Sequence, residues 1–317
     1  MKPNRAAFIA SFVTVSLAWG ASYFAIRVGL RVMPPFLMGG VRYLIAAGIL
    51  WAWCEFRGVD RPTAREWSAS AVLGFLFVVC GNGTVLWAEQ RVPSGAAALL
   101  VSVSPVWTVL IEWTIRQRSR PKFGTWLGLA LGLAGVSTLV LAGGPAGAIP
   151  AWPALVIVLG TLGWGGGSVL AVRLSRPASA LRSLSAQLLC GGLVLTLMGF
   201  GSGESSRWVW SAFDLSSVLA LTYLILVATL AAYIAYAWLM HNVSPTTAGS
   251  CAYVNPMVAV ALGAVFGEPF GIREVIAMAA ILAGVGLVAR AELRQRSVQA
   301  VALTQSVNFA KAQASAA

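Results

Sequence analysis

The sequence predicts an all-α membrane protein: ten transmembrane helices arranged as an inverted repeat of two five-helix halves. Three observations carry this prediction. Apolar runs recur along all 317 residues, each of about twenty residues and so long enough to cross a hydrocarbon core about 30 Å thick. The composition agrees, being 58% hydrophobic and 10% charged with a mean hydropathy of +0.81, where a soluble chain carries about a quarter charged residues. Finally, motifs in the first half return in the same order in the second.

The first span is expected at 7–28. Lys2 and Arg5 ahead of an apolar run imitate a signal peptide, but the run is long enough to span, so it is read as a retained helix. Its centre carries the Trp19–Gly20 pair. The second, 35–54, contains MGGVRYLIAAGIL and places Arg42 within the membrane. The third, 68–88, carries Asn82 and ends beside Glu89. A tight connection through Pro93 leads to the fourth, 94–114, which holds Ser104, Pro105 and Glu112. The fifth, 124–142, presents Gly124, Gly128 and Gly132 at the spacing that lets helices approach closely, within the bundle or between copies.

The sixth to eighth are expected at 152–172, 183–201 and 216–239; Trp164 lies in the sixth, Tyr233 and Tyr236 in the eighth. The ninth, 246–266, follows Pro245 and contains Asn255 and Pro256. The tenth covers 273–289. Beyond it, 290–317 turns polar and reads as a tail. The halves divide as 1–147 and 148–289.

Cationic residues fix the orientation. With the N-terminus inside, sixteen Lys and Arg fall on the cytoplasmic side and five outside, with Arg42 in a span. Cytoplasmic loops concentrate these residues, so both termini are expected in the cytoplasm of a bacterial cell, the protein lying in its inner membrane. The net charge of +12 has the same origin, and no basic stretch is built for nucleic acid. The four cysteines lack metal-ligand spacing and read as packing residues. A single histidine, His241, argues against a histidine metal site or catalytic triad. No metal or cofactor is expected.

The repeat is specific. SLAWGASYFAIR returns as TLGWGGGSVLAVR, and LGLAGV ending at Val136 returns as AILAGV ending at Val285, with offsets of 145 to 151 residues. Five spans per copy is an odd number, so the second copy enters the membrane upside down. VPSGAAALLVSVSP, 92–105, and VSPTTAGSCAYVNP, 243–256, are the matched pair that points to a site. Each contains a proline inside a helix, and each proline follows a polar residue, Ser104 or Asn255. A proline there removes a backbone bond and clashes with the carbonyl four residues back, on Val101 and Ala252. Such interruptions are tolerated where protein or a cavity satisfies the freed carbonyl. One interrupted helix per half is a sequence pointer to a transporter's central site.

These motifs, together with GNGTVLWAEQRVPSGAAALL and AYVNPMVAVALGAVFGEP, resemble the EamA branch of the drug/metabolite transporter superfamily over about residues 8 to 289. The resemblance implies a ten-helix inverted-repeat carrier for amino acids, other small metabolites or drugs, often moved outward. One departure is the Gly267–Glu268–Pro269 signature, which has no acidic counterpart after the fourth span.

The candidate solute contacts are therefore Trp19, Asn82, Ser104, Trp164, Tyr233, Tyr236 and Asn255. Asn82 and the two tyrosines either line the pathway or bridge helices, and Ser104 and Asn255 either face the solute or repair their own helices. Pro93, Pro105, Pro245 and Pro256 are candidate helix breaks. Arg42 and Glu89 are expected to pair between the second and third spans, or to serve substrate or ion coupling. Glu112 meets Arg116 or shares that coupling role, and Glu89 or Glu112 is the candidate for proton coupling. Glu268 is expected to cap a helix end or meet Arg273. The expected function is secondary transport of a small solute, neutral or zwitterionic, by alternating access. A lipid-linked-sugar flippase and a membrane-embedded lipid enzyme are the alternatives. No phosphate-binding loop points to ATP.

Overall fold

The computed structural model describes residues 5–116, 123–141, 149–242, 251–268, 271–284, 286–287 and 290. Regular structure among them is helical throughout. Helix α1 is Arg5–Gly29, α2 is Pro35–Phe56, and α3 is Ala64–Ala88. The fourth apolar run is two helices, α4 (Ser94–Val101) and α5 (Ser104–Arg116). Then come α6 (Phe123–Leu141), α7 (Ala151–Ala171) and α8 (Ala180–Gly201). Helix α9 runs from Leu215 to Asn242, α10 is Cys251–Val265, and α11 covers 272–284. Seven stretches are long and apolar enough to cross a membrane: α1, α2, α3, Ser94–Thr114, α7, α8 and most of α9. Phe123–Thr138 and Val254–Val265 are shorter apolar helices.

Several helices start earlier than the apolar runs suggest, because polar residues cap them. At α3, Thr63 and Glu66 form a reciprocal capping box, which satisfies two of the backbone donors left free at a helix start. Ser179 caps α8 and Asp214 caps α9. Hydrogen bonds from Ser217 and Ser216 hold the Asp214 carboxyl down to about 2.

Among the described residues the most extensive helix contact is that of α2 with α8, and glycine makes it possible. A Cβ on Gly40 would run into Thr196, one on Gly192 would meet Leu44 at 3.2 Å, and one on Gly199 would meet Leu37 at 2.7 Å. In lipid, helix association relies on such close packing, since the tails are as apolar as the side chains. The pair is fastened at both ends. At one end buried Glu204 accepts the Leu37 N–H at 2.9 Å. At the other, Arg182 donates to the Val59 carbonyl at 2.6 Å, pairs with Glu55 at 3.1 Å and lies over the Trp51 ring. Arg182 counts as a loop cation by sequence; it is buried in the first turn of α8.

Around this pair, α1 packs on α9 and α10, α3 on α7 and α8, α5 on α7, and α9 on α2. Helix α6 approaches α11 at its glycines. A Cβ on Gly284 of α11 would meet the Gly128 carbonyl at 2.5 Å and the Gly132 nitrogen at 2.7 Å. The backbone at Gly128 and Gly132 thus lies against α11 within the chain.

Candidate functional site

Two helices leave α geometry over one long stretch each. In α3 the backbone is π-helical over Phe75–Gly83, and in α9 over Leu224–Ala231. A π turn accommodates an extra residue and strands carbonyls, and such turns are frequent at functional sites. Polar side chains satisfy these turns. The Asn82 amide donates to the Phe77 carbonyl at 2.9 Å, and the Thr229 hydroxyl donates to the Leu224 carbonyl at 2.8 Å. Both reach back five residues. Asn82 is therefore partly committed to its own helix. The π stretch of α3 faces α7, where Gly160 and Gly163 leave it room: added Cβ atoms would meet Cys80 O at 2.6 Å and Leu76 O at 2.7 Å.

Between α1, α2, α3, α4, α5, α7, α9 and α10 lies a cavity of about 300 Å³. All seven candidate contacts line it: Trp19, Asn82, Ser104, Trp164, Tyr233, Tyr236 and Asn255. Arg42, Pro105 and Pro256 line it too. Glu89, Glu112 and Pro93 do not appear in its lining, and Pro245 lies outside the described residues.

Aromatic rings build one wall. Trp19 touches Trp164 edge-on (6.2 Å between centroids), Tyr233 (5.5 Å) and Tyr236 (5.2 Å), and Trp164 touches Phe77 (5.1 Å). Edge-to-face geometry is favoured by the ring quadrupole. The Trp19 N–H donates to the Ala228 carbonyl, in the π stretch of α9, at 3.1 Å. The Trp107 N–H donates to the Val158 carbonyl at 3.2 Å.

The two inner prolines differ. Beside Pro105 the helix breaks at Ser102–Val103, so the proline sits in the first turn of α5, where a missing N–H costs little. The break is tightened by Ser102 Oγ donating to Leu99 O at 2.6 Å. Pro256, by contrast, lies inside a continuous α10. The Asn255 amide has only carbonyl oxygens facing one end, which is therefore its nitrogen; it donates to Cys251 O at 2.9 Å and to Ser16 O at 3.3 Å. Asn255 thus bonds the Cys251 carbonyl of its own helix, one residue before the Ala252 carbonyl that Pro256 frees, and ties α10 to α1 while lining the cavity. The symmetric pair of breaks expected from sequence holds only in α4–α5.

The expected Arg42–Glu89 pair does not form among the described residues. Arg42 Nε donates to Thr229 Oγ1 at 2.9 Å, and the guanidinium lies over the Tyr43 ring, 4.8 Å from its centroid. The π turn of α9 presents Thr229 to it, a placement no apolar pattern announces. Glu89 is 1% exposed, and neither carboxylate oxygen has a hydrogen-bond partner. Glu268 does cap a helix end: it accepts from the Ser94 and Gly95 N–H groups at 3.2 and 3.4 Å. Its ionic partner is Arg27, at 3.2 Å, in place of the expected Arg273, which pairs with Glu274. Arg27 also donates to the Val92 carbonyl. These bonds bring together the ends of α1, α4 and α10.

Sequence reading passed over the hydroxyl-bearing lining residues. Thr161 and Ser168 flank Trp164 on α7, and Ser22 and Tyr23 follow Trp19 on α1. Three- and four-residue spacings from the tryptophans put each set on one helix face, and that spacing was the available signal.

The chain matches the EamA-like transporter family over residues 7–141 and 151–290. It is 38% identical over 274 residues to the "Uncharacterized inner membrane transporter YedA" of Escherichia coli K12, covering 86% of this chain and 87% of that one. It is 29% identical over 153 residues to the "Probable terminal-alkyne amino-acid exporter" of Streptantibioticus cattleyicolor, covering 46% and 48%. A solved crystal structure with 21% sequence identity superposes with a TM-score of 0.61 over 93% of this chain and 99% of its own, a likeness of fold.

Proposed function

Since the chain belongs to the EamA-like transporter family, we propose that it is a secondary carrier that exports a small organic solute by alternating access around the central cavity. The observation that carries this reading is the convergence of seven residues, chosen by depth and repeat position, on one cavity between helices of both halves. A site of this kind combines apolar walls with a few placed polar groups.

The proposal includes an inverted repeat of ten spans, both termini in the cytoplasm and residence in the bacterial inner membrane. Paired helix contacts support the repeat. The packing of α1 on α10 corresponds to that of α5 on α7, and α1 on α9 corresponds to α3 on α7. Both third spans of a half carry a π stretch. Relatives described as an inner membrane transporter and an amino-acid exporter support the location and the solute class. The latter relative and the family resemblance support the outward direction.

Binding to the folded form raises apparent stability, so a thermal-shift screen of amino acids and small organic acids tests the site. Solutes that stabilise the purified protein and lose that effect in Trp164→Ala are expected. Stabilisation undiminished in that variant would place binding elsewhere.

A further inference from the structure

Arg42 is the one charged side chain among the described residues lining the cavity. It is 4% exposed. Its Nε is engaged by Thr229 and its plane rests on Tyr43. Thr229 is itself fixed by its bond to the Leu224 carbonyl, so the guanidinium is anchored on one edge. Among the described residues, Nη1 and Nη2 make no hydrogen bond, and neither is closed off from the cavity. No carboxylate there pairs with it. Glu89 has two unpartnered oxygens of its own, and Glu268 is spent on Arg27 and the start of α4.

A cation held at membrane depth pairs with something or faces water. A planar guanidinium with two adjacent free nitrogens matches a carboxylate, which accepts two parallel N–H bonds. Resting on the carrier reading above, we propose that Arg42 binds the carboxylate of the transported solute. The rings of Trp19, Trp164, Tyr233 and Tyr236 then receive its apolar part. The solute class is a small monocarboxylate with an apolar body, amino acids included. A wholly neutral solute would leave the cation unpaired in the occluded state.

The test uses full-length purified protein and matched probes that differ only at the acid: phenylalanine, phenylalanine amide and phenethylamine, then the same set for leucine. Thermal shift and equilibrium dialysis read binding. Phenyl phosphate and chloride form two further arms, for a phosphoryl anion and for a simple counter-ion. Wild-type protein is expected to bind the acids at least about tenfold more tightly than the amides, the scale of a charge-assisted hydrogen bond. Arg42→Gln is expected to erase that preference, and Arg42→Lys to retain part of it. If Arg42→Gln does not fold, the probe series on wild-type protein decides alone.

Equal binding of acid and amide, or an acid preference that survives in folded Arg42→Gln, overturns the proposal. So does stabilisation by chloride equal to that by the acids. Preference for phenyl phosphate over every carboxylate replaces the carboxylate with a phosphoryl group and overturns it as stated. Amides that bind as tightly as the acids, with loss in Trp164→Ala, would refute the role of Arg42 and leave the carrier site standing. No binding by any probe at millimolar concentration counts against both.

Discussion

Glu89 follows the last turn of α3, buried with both oxygens unpartnered. A buried carboxylate without hydrogen bonds is costly when charged, so uptake of a proton there is favourable. Glu89→Gln keeps the shape and removes the titration. The variant is expected to fold at parental yield and bind solute normally, while losing the dependence of uphill transport on a pH gradient in proteoliposomes. A retained gradient dependence would remove Glu89 from the coupling path. Trp164 and Asn255 separate in the same way. Trp164→Ala should weaken solute binding roughly tenfold through lost ring contacts, with folded yield near normal. Asn255→Ala should lower yield as well, because its amide holds Cys251 and Ser16 carbonyls. At this scale the sequence was informative about depth. The helical rise of about 1.5 Å per residue locates a side chain along the membrane normal. It says nothing about rotation around the helix axis, and for that reason Arg42 meets Thr229 while Glu89 stands apart.

The π stretches are the least legible elements. FLFVVCGNG and LILVATLA read as ordinary apolar helix, because the widened turn depends on packing: Asn82 and Thr229 bond five residues back, and Gly160 and Gly163 clear the space beside α3. Gly163→Ala would force a methyl onto Cys80 and the Leu76 carbonyl. It should destabilise the protein by about 1–3 kcal/mol, the usual cost of overpacking. Gly48→Ala, where an added Cβ meets nothing within 4 Å, should be neutral in the same thermal-unfolding assay. A Gly163→Ala protein as stable as Gly48→Ala would mean that the α3–α7 contact yields freely. Helix starts were legible in principle, since Thr63-x-x-Glu66 is a capping box; apolar runs alone put the start of α3 four residues late.

Among the described residues, hydropathy located the seven helices long and apolar enough to cross a membrane, because a membrane dictates span length and helical backbone. The pairing of helices was less accessible, since it rests on glycine contacts such as Gly40 with Thr196 and Gly284 with Gly132. Sidedness is testable directly. Reporter fusions in the loop of Arg118 and the loop of Arg207 should lie on opposite faces, and one shared face would contradict the inverted arrangement. The carrier itself is tested most directly by counterflow. Proteoliposomes preloaded with unlabelled phenylalanine should transiently accumulate labelled phenylalanine above its outside concentration, and Trp164→Ala protein of equal folded yield should not. Simple equilibration without an overshoot, or an overshoot unchanged in Trp164→Ala, would contradict a carrier working around this cavity.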